Sequence, residues 1–204
     1  MYTEESIDEL KQKVRAGDVQ SMLALGEVYE ETKEDNTLAM KMYEWAYRKA
    51  KDPYWKEIAA AYLAGHYLDS DDPRDWYRAN EVIRTAVSER GVFFAPSAYL
   101  IGDMQQFGKE LTQNDHSAYE SYLVAMDIVY DTEENRRFIG QVLMRYGEIY
   151  AKGLYVPADA ERAERYYNEA GVLFEQQKNY NDVFAVRALK RLEEDKQSLQ
   201  AIIK

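Results

Sequence analysis

Apolar side chains recur at steps of three and four along nearly the whole chain, with little alternation by twos, so the sequence predicts helices throughout. The first, about Glu4 to Ala16, sets Ile7, Leu10 and Val14 on one stripe, with Thr3 as its cap and Gly17–Asp18 as its stop. Four helical hairpins follow. Their first helices align on a small residue, Gly26, Ala59, Gly102 and Gly147, preceded by Leu25, Ile58, Ile101 and Tyr146. Three residues on stand Tyr29, Tyr62, Gln105 and Tyr150. Three further come Thr32, Gly65, Gly108 and Gly153, where glycine suits the left-handed turn that ends a helix.

The second helices align more tightly. Each begins at an Asx residue that caps by accepting a backbone N–H bond, followed by alanine, a large residue and alanine. The sets are Asp35/Ala39/Tyr43/Ala46, Asp75/Ala79/Ile83/Ala86, Asn114/Ala118/Tyr122/Ala125 and Asp159/Ala163/Tyr167/Ala170. Alanines seven apart around a large residue share one helical face, so neighbouring helices approach closely while the large side chain fills the gap. The hairpins repeat at 33, 43 and 45 residues, the period of an α-solenoid.

This frame, L-G-x-x-Y-x-x-G and then D-x-x-x-A-x-x-x-Y-x-x-A, resembles the Sel-one-like repeat (SLR), a relative of the tetratricopeptide repeat. Repeat one (Leu25-Gly26-x-x-Tyr29, Asp35 to Ala46) and repeat four (146–171) carry it best; Ala59, Ile83 and Gln105 depart from it. The resemblance covers roughly residues 17–171. It implies an all-α, right-handed α–α superhelix that binds and assembles other proteins, with no catalytic residue. The expected organisation is one solenoid domain over 1–204: a capping helix at 1–16, hairpins at about 17–52, 53–91, 92–131 and 132–171, and a capping segment at 172–204.

Three irregularities stand out. The loop Asp69-Ser70-Asp71-Asp72-Pro73-Arg74-Asp75 lengthens repeat two and ends on the expected cap Asp75. The helix after Thr132 is expected to begin early and run long. A break near Asn179–Asp182 precedes a final helix carrying Phe184, Ala188, Leu192 and Leu199.

Net charge is −11, with ten acidic against four basic residues in positions 1–36. Phosphate backbones need a basic surface, so nucleic acid is excluded as a partner. Cysteine is absent, which excludes disulfides, thiolate nucleophiles and cysteine metal sites. No apolar run approaches the ~20 residues that cross a bilayer. With a polar, acidic start, the expected setting is cytoplasmic, without membrane attachment.

Candidate chemistry is sparse. His66 and His116 have no H-E-x-x-H partner and read as structural or surface residues. The DSDDPRD loop lacks the glycine and terminal glutamate of a calcium loop and reads as solvated. Phosphate-binding glycine loops and a G-x-S-x-G serine are absent. The tyrosines of the repeat frame, Tyr29, Tyr43, Tyr62, Tyr122, Tyr150 and Tyr167, read as core residues whose hydroxyls find partners at the edge. No cofactor, metal or enzyme activity is expected.

What remains is the inner face. If the first helices line a groove, the residues after the small position, Glu27, Ala60, Asp103 and Glu148, point into it. One turn earlier lie Leu23, Lys56, Tyr99 and Met144; one turn later Glu30, Leu63, Gln106 and Ala151. Acidic groups among Leu, Tyr and Met suit a peptide with basic and apolar side chains. The expected function is therefore an adaptor that holds a basic protein or peptide. The alternatives are an acidic decoy or immunity-type inhibitor, an enzyme with surface carboxylates, and self-association through the terminal helices. On the groove reading, Glu27→Lys, Asp103→Lys and Glu148→Lys weaken partner capture and leave the fold intact.

Overall fold

A computed structural model describes residues 4–33, 36–90, 94–178 and 183–203. The described residues form eleven helices and no strand. The chain divides into two compact units, Met1–Phe93 and Phe94–Lys204.

In the first unit α1 (Glu4–Arg15) packs on α2 (Val19–Lys33), which pairs with α3 (Asn36–Lys49). Next, α3 leans on α4 (Pro53–Asp69), which pairs with α5 (Pro73–Arg90). In the second unit α6 (Ala95–Phe107) pairs with α7 (Asp115–Val129). A one-turn helix, α8 (Glu133–Arg136), leads to α9 (Ile139–Lys152), which packs beside α7 and pairs with α10 (Ala160–Lys178). The last helix, α11 (Val183–Ile203), lies against α10 and α9.

The small–large–small frame forms the core of every hairpin. All twelve of its residues, from Ala39, Tyr43 and Ala46 to Ala163, Tyr167 and Ala170, are at most 2% exposed. Each large side chain contributes about 2–3 kcal/mol by leaving water. Close helix approach is what the glycines permit. A Cβ on Gly26 would lie 2.4 Å from the Tyr43 ring, one on Gly102 2.5 Å from Tyr122, and one on Gly147 2.3 Å from Tyr167. In repeat two the same register holds buried Ala59 and Ile83, a larger small residue with a smaller large one. A fourth glycine–ring contact, Gly140 against Phe174 at 2.6 Å, lies one heptad outward on both helices of the last hairpin.

The two hairpin loops of the second unit are built alike. Gly108 and Gly153 end their helices in the left-handed region, φ 65° and 69°, as expected. The next residues, Lys109 and Leu154, donate N–H bonds to Met104 O and Ile149 O. Glu110 and Tyr155 then each take φ 63°. Asn114 and Asp159 donate back to Gln105 O and Tyr150 O and cap the following helix, accepting from Ser117 N and Arg162 N at 3.0 Å. Exposed Glu110 bears a left-handed strain that glycine does not. Glu110→Gly should therefore raise stability by about 0.5–1 kcal/mol in urea melts.

Several expected boundaries move. Helix α4 does not stop at Gly65 but runs to Asp69, because His66 bonds Glu30 of α2 and Leu68 is buried. Its turn into α5 is closed by the Trp76 indole N–H, 2.6 Å from Ser70 O. The cap of α5 is Asp72, which accepts from Arg74 N at 2.9 Å; Pro73 suits the first helical position and leaves Asp75 inside the first turn. The Arg74 guanidinium beside Asp72 holds its carboxyl down at about 2. After Thr132 the helix begins early but does not run long: α8 ends at Arg136 and α9 restarts past Phe138, which packs edge-on to Phe94 at 5.2 Å. Thr3, Asp35, the break at 179–182 and the side chains of Thr32 and Phe184 lie outside the described residues; Ala188, Leu192 and Leu199 are buried as expected.

Candidate functional site

The acidic residues that follow the small positions do one repeated thing. Each bonds a donor on another first helix of its own unit. In the first unit Glu27 of α2 accepts the Tyr62 hydroxyl of α4, and one turn on Glu30 bonds the His66 ring. Tyr62 in turn stacks on Tyr43 at 4.6 Å between centroids, and the His66 ring lies tilted against it at 5.6 Å. Leu23, Ala60 and Leu63 are buried, Glu27 and Glu30 half-buried, and the Lys56 ammonium lies 5.2 Å from the Tyr47 ring centre.

In the second unit the same register is fully enclosed. Asp103 of α6, 8% exposed, is clasped by both arms of the Arg145 guanidinium of α9, with Nε 2.7 Å from Oδ1. Arg145 also donates to Gln141 O at 3.0 Å and lies 4.0 Å over the Tyr99 ring. The Tyr122 hydroxyl stands 2.9 Å from Asp103 Oδ1 and 2.7 Å from Gln106 Oε1. Gln106 Nε2 donates to Glu148 Oε1 at 2.9 Å, and Lys152 donates to the same oxygen at 2.6 Å. Arg191 of α11 reaches Glu148 Oε2 at 3.5 Å. Burial lowers the Arg145 pKa but the Asp103 carboxylate more than restores it, so the group stays cationic. Burial, then Asp103, pushes the Tyr122 hydroxyl well above its usual range.

The network thus unites Asp103, Gln106, Tyr99 and Glu148 (4% exposed) in one satisfied polar core. Met144 sits beyond it among Tyr167, Phe174, Leu192 and Leu199. Sequence reasoning passed over Arg145. Its signal was available: a single cation inside Val142-Leu143-Met144-Arg145-Tyr146, where an apolar stripe leaves a charge nowhere to go but a buried partner.

One carboxyl beside this core is imperfectly placed. Asp195 of α11 has a buried Oδ2 without a hydrogen-bond partner, and burial, despite Arg191 and with Glu148 adding to it, raises its pKa. A raised acid favours the protonated folded state, a contribution present below its unfolded pKa and lost as pH rises through the folded one. Asp195→Asn should therefore raise the melting temperature near neutral pH, and the gain should vanish below the ordinary carboxylate range; equal gains at both ends would remove the carboxyl as the cause.

His116 stacks on Tyr155 at 4.3 Å and lies 3.6 Å from Glu120. Among the described residues no group of three His, Asp or Glu side chains is placed to hold a metal ion, and no helix is long and apolar enough to cross a membrane.

No protein-family model matches the sequence, and no curated protein matches it by sequence. Solved structures do match in fold. One is c5321, a protective antigen present in uropathogenic Escherichia coli strains that displays an SLR fold, with TM-score 0.56 and 16% identity over 96% of this chain. This chain spans 39% of that protein's length. Another is a Sel1 repeat protein from Oxalobacter formigenes, with TM-score 0.51 and 14% identity over 96% of this chain and 76% of that one. With its consecutive hairpins, glycine–ring contacts and all-helical content, the chain has the Sel1-like (SLR) repeat fold.

Proposed function

We propose that this chain is a non-catalytic repeat scaffold that binds another protein through a preformed surface, and that the partner's contacting segment is basic. The observation that supports this is the use made of the carboxylates at the predicted groove positions. Glu27, Asp103 and Glu148 each bond a donor on a neighbouring first helix, which holds those helices at fixed spacing. A surface held in this way loses little freedom on binding. In this reading these three residues, with Glu30 and Gln106, position the inner face, and the net charge of −11 supplies attraction for a basic partner.

An acidic decoy is the second reading, favoured by the same net charge. It places binding on the N-terminal acids, of which Asp8 and Glu9 are already matched by Lys11 at 2.9 Å and Lys13 at 2.7 Å.

The test is affinity capture on the full chain from source-cell lysate, at low and high salt, with identification of bound proteins. A basic protein retained at low salt and released at high salt is the expected result. Retention of only acidic or neutral proteins, or of none, overturns the reading, and Asp8→Lys with Glu9→Lys separates the decoy by abolishing capture.

A further inference from the structure

The outer side of α3 carries charge of the wrong sign for this molecule. Acids outnumber bases 37 to 26 in the chain, yet residues 41–51 hold Lys41, Arg48, Lys49 and Lys51 against the single acid Glu44. Ala39, Tyr43 and Ala46 bury one side of the helix. Lys41, Trp45, Arg48 and Lys49 lie on the other by helical spacing, and all four are exposed. Arg48 reaches Glu44 only at 3.9 Å, and among the described residues Lys41 and Lys49 make no ion pair. Other exposed cations of this unit are matched: Lys11 to Asp8, Lys13 to Glu9, Arg74 to Asp72 and Arg78 to Asp75, all within 2.9 Å. The negative end of the helix accounts for Arg48 and Lys49. It does not account for Lys41 two turns earlier, nor for an indole left 36% exposed between the cations.

The converse arrangement lies in the second unit. Helices α10 and α11 leave an open groove along their outer side, with Gly171, Leu189 and Leu192 in its floor. The two helices come close there, since a Cβ on Gly171 would stand 3.3 Å from Leu192 Cδ2. Val172 forms the lip and is 59% exposed, the most of any large apolar side chain among the described residues. Exposed Glu175 and Glu193 stand on the two walls, one from each helix. The one cation of the lining, Lys196, sits at the Gly171 end.

We propose that these two surfaces are the two halves of one contact, and that the partner at each is a second copy of this chain. The Trp45 indole of one copy enters the α10–α11 groove of the next and covers Leu189 and Val172. The cations one turn to either side of it meet Glu175 and Glu193. The lengths agree: Lys41 to Lys49 spans about 12 Å of α3, and Leu189 to Lys196 about 11 Å of α11. An aromatic anchor in an apolar recess, ringed by opposite charges, is the arrangement in which a few residues carry most of an interface's energy. The contact is heterologous, knob on one copy to groove on the other, so association continues past the dimer unless a ring closes. Net charge of −11 on each copy does not forbid it, because repulsion beyond about 8 Å is screened at physiological salt while the contact pairs are not. The inference goes beyond the scaffold reading and does not depend on it.

The test is sedimentation velocity of the full chain at physiological salt, from about 1 to about 300 μM. Weight-average mass should rise with concentration, and less so in about 1 M salt. Trp45→Ala should weaken association about thirtyfold, as should Val172→Arg, which blocks the groove with a like charge. Each variant alone should therefore stay monomeric at concentrations where the wild type associates. Mixed in equal amounts they should form a dimer and nothing larger, since only the groove of the first and the indole of the second remain. Both sites are exposed, and melting curves check that each variant is folded. A single monomeric mass for the wild type over the whole range overturns the proposal. So does association that either variant leaves unchanged, or a mixture that stays monomeric. Each of those outcomes leaves the scaffold reading standing.

Discussion

Removing the Arg145 guanidinium should cost the second unit about 3–5 kcal/mol, the largest single loss in the molecule. Arg145→Met keeps a stem of similar length but strands Asp103 in a site 8% exposed, with only the Tyr122 hydroxyl left to answer its charge. Asp103→Leu strands the guanidinium instead. The double variant should recover most of the stability, because buried ion pairs exchanged for apolar side chains of similar volume are often neutral or stabilising. The Tyr122 hydroxyl still has Gln106 Oε1 at 2.7 Å in that background. Urea melts of the four proteins complete the cycle. Near-additive losses in the double variant would show that the pair does not act as a unit. The same reasoning bears on charge reversal at the predicted groove positions. Asp103→Lys meets Arg145 at close range and should unfold the unit, so lost partner capture in that variant carries no information about binding.

The second large effect concerns how closely the helices of a hairpin approach. Gly147→Ala places a methyl 2.3 Å from the Tyr167 ring, a distance that real Cβ contacts do not reach. Alanine returns up to about 1 kcal/mol of helix propensity, but overpacking a fixed ring costs about 1–3 kcal/mol or more. We expect a net loss of about 2 kcal/mol of stability, read as a lower urea midpoint at constant slope. The chain contains its own remedy at Ala59 and Ile83, buried at the equivalent register. Adding Tyr167→Ile to Gly147→Ala should therefore restore most of the loss, whereas Tyr167→Ile alone should leave a cavity and cost about 2 kcal/mol. If the double variant is no better than Gly147→Ala, the glycine is needed for something other than room.

Much of this packing was legible because period and residue size are local properties. The alanine frame and Gly26, Gly102 and Gly147 mark the buried faces without knowledge of any neighbour, and Gly108 and Gly153 mark left-handed stops. Gly65 misled because a glycine also tolerates the middle of a helix when later residues, here His66 and Leu68, still have something to bury against. The carboxylates were harder. Spacing places Glu27, Asp103 and Glu148 in one register, but whether such a row faces solvent or a donor depends on residues 35 to 43 positions away, Tyr62, Arg145 and Arg191. No pattern within a hairpin records that pairing.

The staples joining successive first helices have a further consequence. Each carboxylate in the row meets a different donor: a phenol for Glu27, a guanidinium clasped on both arms for Asp103, and a lysine, an amide and a longer-range arginine for Glu148. The joints are keyed. A hairpin transplanted one place along its unit would carry its acid to a lock cut for another key, so these modules cannot be shuffled, duplicated or deleted at will even though their cores are nearly interchangeable. Within each unit the order of the repeats is thereby fixed by its joints, as a sentence fixes its words.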